Sequence, residues 1–83
     1  MSNQVGKLIR KLREERGVSQ RKLAEEIGAN YTYLSKIENG RLDHTPNAKT
    51  LAAIADALEI DRDWLLTECG RPPEKLTQAI ASH

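Results

Sequence analysis

Apolar residues recur at helical spacing from the start of the chain. Val5, Leu8, Ile9 and Leu12 fall at i, i+3, i+4 and i+7, which puts them on one face of a first helix that Gly17 ends. Ser19 has the side chain of an N-cap, and Leu23, Ala24 and Ile27 carry the stripe through a second helix that stops at Gly28. Asn30 caps a third, with Leu34 and Ile37 inward and Asn39-Gly40 at its end. Residues 41–46 read as a polar loop closed by Pro46. Asn47 caps a fourth helix with Leu51, Ile54, Ala55 and Leu58 facing in, and Asp61 caps a fifth that carries Trp64, Leu65 and Cys69 before Gly70. After Arg71-Pro72-Pro73, Leu76 and Ile80 mark a short amphipathic tail that fits either a sixth helix or disorder. With no strand alternation or internal repeat, the pattern predicts an all-α fold. It is a compact five-helix bundle over residues 1–70, followed by a tail or dimerisation extension over 71–83.

Composition narrows the class. Eighty-three residues allow one core, and the 39% apolar and 30% charged fractions fit a soluble globular chain. No stretch nears the roughly 18–20 apolar residues of a membrane span, and Met1-Ser2-Asn3-Gln4 has no apolar signal region. A single cysteine, Cys69, can close neither an internal disulfide nor a Cys-rich metal site, which suits a reducing cytoplasm. The net charge of +1 conceals an asymmetry. Residues 1–41 hold nine Lys and Arg against five acids, and the remainder holds four against seven. A basic half joined to an acidic half suits a protein with one face toward phosphate and another toward protein or solvent.

The second and third helices carry the chemistry. Ala24 lets a following helix approach closely, Gly28 permits positive φ at the turn, and Leu34 and Ile37 lie on the face that packs back over Leu23 and Ile27. This is a helix-turn-helix pattern. Its third helix turns Tyr31, Thr32, Ser35 and Lys36 outward. Thr32 can give a methyl to thymine or a hydroxyl to a base edge, Lys36 can donate to guanine, and Tyr31 offers a ring and a hydroxyl.

The chain resembles the Cro/repressor family of helix-turn-helix regulators, also called the xenobiotic-response-element family. The resemblance lies in Leu-Arg-Glu-Glu-Arg-Gly-Val-Ser-Gln (12–20), Leu-Ala-Glu-Glu-Ile-Gly (23–28), Tyr-Leu-Ser-Lys-Ile-Glu-Asn-Gly (33–40), Thr-Leu-Ala-Ala-Ile-Ala-Asp-Ala-Leu (50–58) and Trp-Leu-Leu (64–66). It implies a lambda-repressor-like bundle and a sequence-specific transcriptional regulator, most simply a repressor, that binds double-stranded DNA in the major groove. It also places base reading at Tyr31, Thr32, Ser35 and Lys36. By the same resemblance Gln20 grips phosphate, as do Tyr33, Asn39 and Arg41 around the reading helix, with Arg10 and Arg21 as further candidates. Tyr33 equally fits partial burial against the first helix. Arg13 and Glu38 match a pair that ties the first helix to the end of the reading helix. The loop after Gly40, with Asp43 and His44, is longer than in the short phage repressors, so no phosphate contact is carried past Arg41.

One reading helix covers too few base pairs to select an operator, which predicts a homodimer on a near-palindromic site with half-sites about 10 base pairs apart. Trp64, Leu66 and Leu76 are the expected interface, with Leu65 kept for the chain's own core. An enzyme would need a nucleophile with its base, paired carboxylates or a metal constellation, and the sequence presents none. No cofactor, metal, small-molecule ligand or membrane is expected, and the setting is cytoplasmic, on the nucleoid. His44 reads as solvent-facing and Cys69 as a small buried hydrophobe. The rival is an antitoxin or interaction module built on the same helices, for which the 13 residues after Gly70 make a partner-binding tail too short for the task.

Overall fold

A computed structural model of the chain describes residues 2–71; the tail with Leu76, Ile80 and His83 lies outside the described residues. Within them are five helices: α1 (Ser2–Glu15), α2 (Gln20–Ile27), α3 (Tyr31–Glu38), α4 (Ala48–Ala57) and α5 (Arg62–Glu68). Four begin at side-chain caps that satisfy otherwise orphaned backbone donors. Ser19 Oγ accepts from the Lys22 N–H at 3.1 Å, Asn30 Oδ1 from Thr32 at 2.7 Å, Asn47 Oδ1 from Thr50 at 2.8 Å and Asp61 Oδ1 from Trp64 at 2.9 Å. The first helix starts at Ser2, ahead of its apolar stripe, where the sequence has no apolar residue for a periodicity to register. Between α2 and α3 the chain turns at Gly28, whose φ of 68° lies in the left-handed region, while the Ala29 N–H donates back to Ala24 O at 2.9 Å.

Helix α1 packs on α3, α2 on both α3 and α4, and α4 on α5. Their common core consists of Ile9, Leu23, Leu34, Leu51, Ile54, Ala55, Leu58 and Leu65, with Val5, Ala24, Ile37, Leu66 and Cys69 closing it. Leu8, Leu12 and Ile27 are only partly covered at its edge. Burial, with the charge of Glu68, pushes the Cys69 thiol above its ordinary pKa, which keeps it protonated and inert.

The fifth helix corrects one expectation. Leu66, assigned to a partner surface, is 7% exposed and belongs to the core of its own chain, while the neighbouring Trp64 is 43% exposed. A helix laid against a core buries an arc of at least about 100°, wide enough to hold two consecutive residues such as Leu65 and Leu66. Arg71, at the margin of the tail, is anchored too. Its guanidinium donates to the carbonyls of Pro46 at 2.7 Å and Thr45 at 2.8 Å, tying the end of α5 to the loop that leads into α4.

After α4 the chain turns through Glu59, a non-glycine residue at φ 58°. The left-handed conformation disfavours any side chain with a Cβ, whereas glycine also loosens the unfolded chain, so the net gain from Glu59→Gly is about 0.5 kcal/mol. A thermal melt should therefore rise by roughly 2–4 °C. A lower Tm would show that the exposed Arg16–Glu59 ion pair, 3.7 Å long, outweighs the relief.

Candidate nucleic-acid interface

The outer face of α3 is polar along its length. Tyr31, Thr32 and Lys36 are exposed, Ser35 is half-buried, and Asn39 stands exposed at the helix end. Leu34, Ile37 and Glu38 take the opposite side, so the face that can meet a ligand carries hydroxyls, an ammonium and an amide. Tyr31 does not stand alone: the Arg21 guanidinium lies over its ring, 4.9 Å from the centroid, so a cation from α2 holds the first outward residue of α3. Arg13, Ser19, Gln20, Arg21 and Tyr31 together line an open cleft of about 330 Å³ at the start of α2. Tyr33 is half-buried against the core, and Arg41 is exposed just past α3, where its N–H donates to Lys36 O at 2.9 Å.

Beneath this face lies a buried carboxylate. The Glu38 side chain is fully enclosed, and three residues converge on it. Arg13 makes a two-point contact, Nε to Oε2 at 2.7 Å and Nη2 to Oε1 at 2.9 Å, and its Nη1 donates to Val18 O at 2.8 Å. Gln20 Nε2 donates to Oε1 at 2.9 Å, and Arg10 Nε approaches the same oxygen at 3.4 Å. Burial alone would raise the Glu38 pKa, but the hydrogen bonds from Arg13 and Gln20 and the Arg13 charge outweigh it and hold the carboxyl below its ordinary range. Arg13 is raised in turn, chiefly by its hydrogen bond to Glu38. Among the described residues no buried side-chain polar atom lacks a partner. The cluster therefore fastens α1 and the start of α2 to the end of α3 with its hydrogen bonds complete.

Three features went beyond the sequence reading. Gln20 reaches inward to Glu38 with one amide hydrogen, and its other remains available to a phosphate. Arg10, considered as a phosphate contact, is also engaged by Glu38 and by Asn39 Oδ1 at 2.7 Å. Gly6 was not singled out at all. A methyl group there would overlap the carbonyl oxygen of Ile37 and lie 2.8 Å from that of Glu38, so α1 crosses the end of α3 at a distance only glycine allows. The available sign was a lone glycine inside a helical stripe, which marks a close approach as readily as a weak spot.

Comparison with known proteins agrees with this geometry. Residues 6–71 match the model of a helix-turn-helix domain family. The chain is similar to the ImmF control region 10 kDa protein of Bacillus phage phi105, 41% identical over 61 residues that make up 74% of this chain and 66% of that protein. It is also similar to the immunity repressor protein of the same phage, 41% identical over 64 residues that make up 77% of this chain and 43% of that protein. The chain thus spans just under two thirds of the first relative and less than half of the second. Among solved structures, the biofilm master regulator SinR in complex with DNA superposes with a TM-score of 0.67 at 32% identity, covering 75% of this chain and 97% of that one. Among the described residues no helix is long and apolar enough to cross a membrane. With five helices, a turn at Gly28 and a polar third helix braced from within, the chain belongs to the helix-turn-helix domain family and is of the Cro/repressor type within it.

Proposed function

We propose that this chain is a sequence-specific transcriptional repressor that lays α3 in the major groove of double-stranded DNA and works as a homodimer in the bacterial cytoplasm. The observation that carries this reading is the two-sidedness of α3: a polar, basic outer face over an inner face fixed to α1 and α2 through Glu38. Likeness to SinR, which has been solved with DNA, and to a phage immunity repressor supports it. In this reading residues 1–70 form the DNA-binding domain. Tyr31, Thr32, Ser35 and Lys36 face base edges, and Gln20, Tyr33, Asn39 and Arg41 face phosphates. Trp64, the large exposed apolar side chain of α5, is the anchor of the dimer contact now that Leu66 is accounted for in the core. Two-fold pairing sets the reading helices about 34 Å apart and gives a near-palindromic operator.

Selection of bound sequences from random DNA, together with sedimentation at micromolar concentration, tests both halves of the proposal. Enrichment of no sequence would end the DNA reading, and a monomer protecting one unrepeated half-site would end the dimer alone. On the selected site, Lys36→Ala and Thr32→Ala are each expected to lose about 1–3 kcal/mol of binding, and far less on random DNA. Equal losses on both would take these residues out of base reading. Arg41→Ala should weaken both kinds of DNA alike and lower the salt slope by roughly 0.9, the release of one counterion. An unchanged slope would remove Arg41 from the phosphate contacts.

A further inference from the structure

We propose that Asn39 is a positioning residue for base recognition: an Arg10–Asn39–Ser35 relay fixes the Ser35 hydroxyl as a hydrogen-bond donor toward an acceptor on a base edge. The inference rests on the reading of α3 as the groove-facing helix and specifies what one of its side chains can recognise. Arg10 Nη2 lies 2.7 Å from Asn39 Oδ1, and Asn39 Nδ2 lies 3.2 Å from Ser35 Oγ. A guanidinium can only donate, so the atom it meets must be the amide oxygen. The amide NH₂ is thereby turned to Ser35, whose oxygen has to accept. A hydroxyl that accepts this bond keeps its own proton for another partner, and among the described residues no second partner of Ser35 Oγ is present. Arg10 is itself held, its Nε against the buried Glu38 carboxylate at 3.4 Å, so the orientation is relayed from the core to the outer face.

The consequence is a defined chemical preference. In the major groove the acceptors are N7 of either purine, O6 of guanine and O4 of thymine, whereas the amino groups of adenine and cytosine are donors. The base edge opposite Ser35 should therefore present an acceptor. Asn39, with its oxygen committed to Arg10 and one amide hydrogen to Ser35, acts on sequence preference through that hydrogen and keeps its second one for a phosphate.

Random-sequence selection with the full chain, compared among wild type, Ser35→Ala and Asn39→Asp, tests this. Asn39→Asp keeps the acceptor that Arg10 needs but removes the donor to Ser35, so the Ser35 proton turns inward to the new carboxylate and is lost to the base. Both variants are expected to flatten the preference at the same base pair of each half-site by about tenfold, and leave the other positions as they are. The added negative charge lowers affinity for all sequences together, which leaves the ratio between preferred and disfavoured bases at a position untouched. Ser35→Ala removes a single oxygen, and thermal melts establish that both variants are folded. Retention of the wild-type preference at that position in Asn39→Asp would overturn the relay, as would an equal flattening at every position. A wild-type chain that enriches no sequence would remove the groove reading itself, an outcome distinct from failure of the relay.

Discussion

Glu38→Ala is expected to destabilise the domain by about 3–5 kcal/mol, the loss typical of removing one partner of a buried ion pair. An 83-residue chain has roughly 4–12 kcal/mol in total, so the loss removes at least about a quarter of the stability and, at the lower end of that range, all of it. The magnitude follows from what is left behind. Arg13, whose side chain is 11% exposed, would keep its charge with only Val18 O to receive it, and Gln20 Nε2 and Arg10 Nε would lose their shared acceptor. Glu38→Gln keeps the shape and one oxygen but turns an amide NH₂ toward the guanidinium, so it should fall between wild type and alanine. The carboxyl also predicts a pH dependence. Its folded pKa lies below the unfolded value of about 4.3, so its stabilisation is complete above that value and is lost as pH falls through the folded one. Urea titrations at neutral and acid pH read both effects. A Glu38→Gln protein that loses as much stability between neutral pH and pH 3 as wild type does would show that other carboxylates govern acid unfolding.

The fold was legible in the chain because its information is local. Caps at Ser19, Asn30, Asn47 and Asp61, the left-handed turn at Gly28 and the inward residues of α2, α3 and α4 follow from spacing within about a dozen residues, and the structure places them there. The two ends of the buried ion pair, 25 residues apart, could be matched only by resemblance, because no periodicity connects them. What spacing could not give was the side-chain wiring between helices. Gln20 and Arg10 are polar residues at a helix start and on a helix flank, positions that solvent or phosphate would explain equally well. Only the packed geometry brings both to one carboxylate. Leu66 failed for a related reason: whether the second of two adjacent leucines is covered depends on the width of the neighbouring helix contact.

Gly6→Ala tests the closest of these interhelical contacts, and here two effects of opposite sign compete. Alanine is the better helix former by about 1 kcal/mol, so at an open position in the middle of α1 the substitution would stabilise. The position is not open. The new methyl would meet the backbone carbonyls of Ile37 and Glu38, which are parts of α3 and cannot turn aside as a flexible side chain could. Relief requires α1 to lift from α3, which loosens the Ile9 and Ile37 packing and stretches the Arg13–Glu38 contacts. Overpacking typically costs about 1–3 kcal/mol and occasionally more; with backbone on the opposing side the upper end applies, so a net loss of about 2 kcal/mol is expected after the gain in propensity. For a domain of this size that is a fall in Tm of roughly 8–16 °C. The variant should also bind the selected DNA site more weakly at temperatures where it is still folded, because the carbonyls displaced belong to α3, the helix proposed to read the groove. A melt equal to or above that of wild type would mean that α1 does not cross the end of α3 at Gly6, and the anchoring of the reading helix would then rest on the Glu38 cluster alone.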